Sequence, residues 1–297
     1  MQCQCIRWGR RPRSGRAIES EQDVSNTMGD PENSTLGQYL TFLRQREEQR
    51  RHRTGALPRT KKLSRERAAG DAHITASYLT KVERDEVGQV SVEILRLLTD
   101  TYHASDDEWR YLCDLAGHAA PYPALPGLNE TLDMPPMTEF ENALSSFMRT
   151  EMDESTSDLV SFYTPQRRLI AANAAYFETF PTHRPGMYML EWSFTDEAKT
   201  VMLNWDDQVD QGVAWHRGII GRYGHTNWAQ ESHRRLWQFD DFRKKWEAHE
   251  VSYARPLVSQ ALLAVRGGRY TMIMENWLLQ YGLPIMRSRS RLQPIPN

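Results

Sequence analysis

The sequence predicts two domains, a domain of five α-helices followed by one of α+β type, and three observations predict it. From Leu36 to Gly117 apolar residues recur at helical spacing and no alternating strand pattern interrupts them. From His118 to Pro136 the chain carries five of its fifteen prolines and every period stops, which marks a boundary. Beyond it, short apolar runs and a Gly-Gly turn are interspersed with long helical segments, the texture of an α+β unit. With 297 residues the chain can bury two cores. The expected bounds are 1–33 for a disordered basic N-terminal extension, 34–117 for the helical domain and 118–136 for a Pro-rich linker. The α+β domain is expected over 137–284 and a basic, proline-containing tail over 285–297.

The first helix is expected from Thr35 to about Arg51, with Leu36, Tyr39, Leu40 and Leu43 as its apolar stripe. Gly55 and Pro58 make residues 52–63 a loop, and five of its side chains are basic or histidine. Two short helices follow, Arg65 to Ala72 and a second capped by Thr75 and ending near Arg84, with a tight turn at His73 between them. Ala69 falls where the pair must approach closely, and Ile74, Leu79 and Val82 share one inward face. That is the pattern of a helix-turn-helix. Ser91 is expected to cap a fourth helix. A fifth should run from Asp106 to Ala116, with Asp106, Asp107 and Glu108 where negative charge suits the helix dipole.

The pair of helices implies contact with double-stranded DNA. Thr75, Ala76, Ser77, Thr80 and Lys81 point outward early in the second helix, where a recognition helix meets base edges. Lysine suits guanine acceptors, Ser and Thr are versatile, and the Ala76 methyl can meet a thymine methyl. Arg44, Arg46, Lys61, Lys62, Arg65 and Arg84 are assigned to phosphates, which fix position without reading sequence. The formal net charge of −2 hides the asymmetry this needs: residues 36–67 hold ten Lys and Arg against three Glu, and residues 128–160 hold eight acids against one Arg. Glu83 beside this face is expected to buttress the domain, since a carboxylate is repelled by phosphate.

In the second half, strands are expected at Asp158–Phe162 and Leu169–Ala171 around a turn at Thr164–Arg167, and a helix from Ala174 to Phe180. Long helices should cover Trp205 to Tyr223 and Glu231 to Glu250, with a closing hairpin turned by Gly267 and Gly268. Cys3, Cys5 and Cys113 make neither a disulfide framework nor a zinc site, which suits a reducing cytoplasm. No apolar run approaches the roughly 20 residues of a membrane span. His216, His225, His233 and His249, with Asp206, Asp207, Asp240 and Asp241, are residue types of acid–base or metal chemistry. They form no HExxH, GxSxG, GxxxxGK or CxxC pattern, so no catalysis, metal or cofactor is expected.

Together these segments resemble an XRE-type, lambda-repressor-like helix-turn-helix regulator with a C-terminal MmyB-like ligand-binding domain. The first half carries the resemblance at Arg59, Lys61, Arg65, Glu66, Ala69, Ile74, Val82 and Glu83, and again from Trp109 to Gly117. The second half carries it in IAANAAYFETF, through Asn173, and in FTDEAKTVMLNWDDQVDQGVAWHR, through Phe194, Asp196, Ala198, Trp205 and Val209. ESHRRLWQFDDFRKKWEAHEV adds Phe242, Trp246 and His249. The chain departs from the family pattern at Asp71, at His73 in place of glycine, and at Ala172 in place of tryptophan. The resemblance implies a PAS-like sheet with helices over a cavity for a small hydrophobic, fatty-acid-like ligand, and Trp192, Phe194, Trp205, Trp215, Tyr223 and Trp277 as its lining. Arg217, Arg222, His216 and His225 are the cations available to an acidic ligand. One module of this size reads few base pairs, so a homodimer is expected. The alternative is an interaction module, antitoxin-like or partner-bound, without a small-molecule ligand; an exposed apolar patch with no internal cavity would mark it.

Overall fold

Each helix of the first domain begins where a hydroxyl accepts an amide that the first turn leaves unpaired. Thr35, Ser64, Thr75, Ser91 and Ser105 do this for α1 (Leu36–Thr54), α2 (Arg65–Asp71), α3 (Ala76–Glu83), α4 (Val92–Thr101) and α5 (Asp106–Leu115). The computed structural model describes residues 34–118, 124–125, 133–253, 258–279 and 282–296. The expected extension over 1–33 and most of the expected linker lie outside these residues.

The five helices close around Tyr39, Leu40, Leu43, Leu79, Val82, Leu95, Leu98 and Leu112, all buried. Ala69 is 1 % exposed at the contact of α2 and α3, so a larger side chain would push the two helices apart. His73 takes the left-handed conformation (φ 55°) that the turn requires, which histidine tolerates better than a β-branched residue does. Asp71 is explained by an ion pair, 2.6 Å from Arg51 of α1.

The second domain opens with α6 (Met137–Ala143) and α7 (Ser146–Glu154), then β1 (Leu159–Tyr163), β2 (Leu169–Ala172), α8 (Ala174–Thr179), α9 (Met189–Trp192) and α10 (Asp196–Val201). It continues through α11 (Trp205–Tyr223), α12 (Asn227–Trp237), α13 (Asp240–Trp246), β3 (Val258–Val265), β4 (Gly268–Leu279) and β5 (Ile285–Pro294). The five strands form one antiparallel sheet in the order β2-β1-β5-β4-β3. β1 is buried on both faces. Val160 and Phe162 pack with Phe140 of α6 and Met152 of α7, while Leu159 and Tyr163 pack with Tyr176 of α8 on the other side. Asn173, which caps α8, ties these layers: its Oδ1 accepts from Val160 and Tyr176 amides, and its Nδ2 donates to the Ser155 and Asp158 carbonyls.

Two expectations are corrected. The basic tail over 285–297 is largely β5, paired with β1 on one side and β4 on the other. Its inward positions include Ser288 and Ser290, both buried, so the apolar alternation that signals a strand is muted. Its outward arginines are held by acids: Arg287 by Glu151, and Arg289 and Arg291 by Asp158. The long helix expected from Glu231 to Glu250 is two helices broken at Gln238 and Phe239, which lets Leu236, Phe242 and Trp246 converge on one core. The helices α6 and α7, which follow the expected linker, have no period in the sequence long enough to announce them.

Candidate functional site

The recognition face is built on α3. Thr75, Ser77 and Lys81 are exposed, Ala76 and Thr80 are half-buried, and the Thr80 hydroxyl is already bonded to the Ala76 carbonyl at 2.8 Å. The inward Leu79 and Val82 hold α3 in place, and Tyr78 lies half in the core. Lys61, Lys62 and Arg84 are exposed alongside. A polar groove of about 590 Å³ runs between α1, the start of α2 and Thr80, with Lys62 and Arg65 on its walls.

Glu83 organises this face from beneath. Its side chain is fully buried and accepts both Arg44 (2.6 and 3.0 Å) and Arg65 (2.6 Å). Arg44 also donates to the Leu63 carbonyl, and Arg46 grips Glu108 of α5 in a two-pronged pair. Arg44 donates through Nε and both Nη groups inside the domain, and the tip of Arg46 is held by Glu108. The assignment of Arg44 and Arg46 to phosphates is corrected on this ground: their contacts clasp the domain together. Arg65 gives one donor to Glu83 and keeps its remaining surface in the groove.

A second site lies in the other domain, between the sheet and α8, α9 and α11. It is a cavity of about 510 Å³ with a mainly apolar wall that includes Phe180, Leu190, Met202, Leu263, Met272 and Met274. Of the six residues expected to line it, Trp192 and Trp215 do. Phe194 and Tyr223 are buried in the neighbouring core with Trp205 packed against it, and the Trp205 Nε1 is bonded to the Ser193 carbonyl. Trp277 is 37 % exposed and stacked under Arg287. A tryptophan count could not separate these places, because a core and a cavity wall use the same side chains.

The cavity also holds polar groups that no motif in the sequence marks. A chain of hydroxyls runs from Ser161 to Tyr163 (3.1 Å) and Tyr176 (3.1 Å), and on to His183 Nδ1 (2.8 Å). With Tyr176 donating, the His183 proton sits on Nε2, which is buried without a partner. Burial holds His183 down at about 4, only partly opposed by Glu197. Arg167 lines the same cavity, at the end of the turn between β1 and β2, in a left-handed conformation (φ 69°). Its Nε is buried and unpaired, and no carboxylate among the described residues pairs with it; burial lowers its pKa. The residue is half-buried, and its buried Nε is a donor turned toward the cavity with no acceptor of its own among the described residues. None of the four cations expected to meet an acidic ligand lines the cavity: Arg217 donates to the Glu250 and Trp246 carbonyls, Arg222 pairs with Asp114 (3.2 Å), His216 lies against His233, and His225 is exposed after α11.

Three of the four carboxylates considered for catalysis are engaged as well: Asp206 receives Lys245, Asp241 receives Lys199 and Asp240 receives Arg243, while Asp207 is exposed on α11. Among the described residues no group of three or more His, Cys, Asp or Glu could hold a metal ion, and no helix is long and apolar enough to cross a membrane.

A helical domain with an exposed recognition helix, joined to an α+β domain around a largely apolar cavity, defines the class: a DNA-binding unit joined to a ligand-binding unit. Comparison with known families agrees. Residues 35–112 match the helix-turn-helix domain family, and residues 162–279 match the MmyB-like transcription regulator ligand binding domain. The chain thus pairs a helix-turn-helix domain with an MmyB-like ligand-binding domain. None of the curated proteins matches it.

Proposed function

We propose that this protein is a sequence-specific DNA-binding transcriptional regulator of the XRE type whose DNA affinity is set by a small, largely apolar molecule with an acidic head. The observation that carries the reading is the cavity: apolar walls, with Arg167 and the His183 Nε2 as unpaired polar groups. Ligand sites commonly combine such walls with a few polar groups that fix orientation. A fatty-acid-like compound has this chemistry, its chain against the methionines and its carboxylate toward Arg167. The five-stranded antiparallel sheet with helices over a cavity supports the PAS-like description of this domain.

Thr75, Ser77 and Lys81 read bases in this proposal, and Lys61, Lys62, Arg65 and Arg84 bind phosphates. The protein acts as a homodimer in the cytoplasm, pairing two half-sites, and performs no catalysis. The alternative of an interaction module without a ligand gains no specific support, since it predicts an apolar patch in place of a cavity.

Native mass spectrometry of the full chain, with extraction of bound compounds, should recover an acidic apolar molecule. Gel shifts on DNA selected by the protein from a random pool should then change when that molecule is added. A protein that ignores all DNA at low salt would falsify the regulator reading. Loss of anionic but not neutral ligands in Arg167→Leu is expected; equal retention of both would remove Arg167 from the site.

A further inference from the structure

The wall of the cavity and the floor under the helix-turn-helix domain are made of the same two pieces of chain. α11 turns Gly212, Ala214 and Trp215 to the cavity and, further along, packs against α5. The segment from His249 to Tyr253 lies across α11, anchored by the Ser252 amide on the Ala214 carbonyl (3.0 Å). Glu250, Val251 and Ser252 line the cavity.

The same segment holds the first domain. Val251 is part of that domain's buried apolar core. The Tyr39 hydroxyl donates to the His249 carbonyl (3.3 Å), and the Phe42 and His249 rings lie 4.5 Å apart. The Tyr253 amide donates to Asp107 (3.1 Å) and its hydroxyl to Asp114 (2.6 Å), both on α5. Two glycines of α11 show how close the fit is. A Cβ at Gly221 would stand 2.5 Å from the Tyr111 ring, and one at Gly218 would stand 2.9 Å from the Ser252 carbonyl oxygen. Packing this tight does not deform by degrees; it passes from one arrangement to another.

We propose that the His249–Tyr253 segment is the coupling element of this protein: a molecule in the cavity presses on Glu250–Ser252 and thereby resets how α5 is held through Tyr253, Asp107 and Asp114. This rests on the reading of the cavity as a ligand site. A ligand acts this way only through a difference in affinity between the two arrangements, and the effect is reciprocal.

The test uses the full chain, the anionic fluorophore 1-anilinonaphthalene-8-sulfonate as cavity probe, and a labelled duplex selected by the protein. In the wild type, saturating probe should shift the DNA Kd by at least about fivefold, and DNA should shift the probe Kd by the same factor. Tyr253→Phe removes one hydrogen bond from the route while touching neither cavity nor DNA. It should leave each Kd measured alone within about twofold and reduce the mutual shift to below about twofold. Hydrogen exchange in α5 should slow on probe binding in the wild type and not in Tyr253→Phe. If the wild type takes up no probe, or if Arg167→Leu and a cavity-filling Ala261→Phe leave uptake unchanged, the ligand-site reading fails and the coupling with it. If probe binds in the cavity but the mutual shift is absent in the wild type, or persists in full in Tyr253→Phe, the site stands and the route is wrong.

Discussion

The Arg217 guanidinium lies 3.8 Å from the centroid of the Trp246 ring, stacked on it in a fully buried position. It also donates to the Ser34 hydroxyl (3.2 Å), the Glu250 carbonyl (3.2 Å) and the Trp246 carbonyl. One side chain thus pins the entry to α1 to the end of α13. Arg217→Met keeps the bulk but leaves these acceptors without donors. It should lower the unfolding free energy of the full chain by about 2 to 4 kcal/mol in urea titration. Arg217→Lys should recover little of this, because an ammonium cannot both stack and fork. A stability within 0.5 kcal/mol of wild type, roughly the scatter of neutral surface changes, would remove Arg217 as a pin.

Glu83 holds Arg44 and Arg65 with a buried carboxylate. Glu83→Ala leaves two guanidiniums facing each other without an anion, and should cost about 3 kcal/mol. DNA binding should weaken with it, since α3 ends at this residue. Amide exchange across α2 and α3 reports the local loss; unchanged protection there would show that the clasp is dispensable.

Lys61 and Lys62 are exposed beside the recognition face, whereas Arg44 and Arg46 are engaged inside the domain. Lys61→Ala and Lys62→Ala should each reduce the slope of log K against log salt by about one unit, uniformly across DNA sequences. Arg46→Ala should leave the slope alone and lower stability. An unchanged slope in both lysine variants would take the loop off the DNA.

Burial holds His183 and His233 at about 4, below their ordinary 6.5, and the Arg217 charge adds to the effect at His233. Both are therefore neutral in the fold down to about pH 4, while the unfolded chain takes up protons below about 6.5. Their contribution is complete above pH 6.5 and is lost as pH falls toward 4, up to about 3 kcal/mol for each. Urea unfolding at pH 7.5, 5.5 and 4.5 should show this decline, and His233→Gln should make it shallower. A stability that held flat from 7.5 to 4.5 would contradict it.

Asn173 is 4 % exposed and makes four hydrogen bonds with its side-chain amide. Asn173→Ala removes the side-chain partners of the Val160 amide and the Ser155 carbonyl, while the Tyr176 amide keeps the Asn173 carbonyl and the Asp158 carbonyl keeps the Ser155 hydroxyl, so a loss of about 2 kcal/mol is expected in thermal or urea unfolding. Asn173→Asp should be intermediate: it keeps the acceptor and loses the donor.

The helix starts of the first domain, the turn at His73, α11 and the closing hairpin were legible in the residues, because each depends on neighbours a few positions away: a capping hydroxyl, a helical stripe, a Gly-Gly pair. The break inside residues 231–250 was not, since the apolar period runs on across it and only the convergence of Leu236, Phe242 and Trp246 requires it. The tertiary structure alone decided which charges are free and which aromatic rings face a cavity. Arg44 meets Glu83 across 39 positions and Arg217 meets Ser34 across 183, distances at which composition and spacing carry no information about partners. Arg167 is the clearest case. In the chain it is one arginine of a turn, and only the fold sets it on the cavity wall with a buried Nε that meets no acceptor among the described residues.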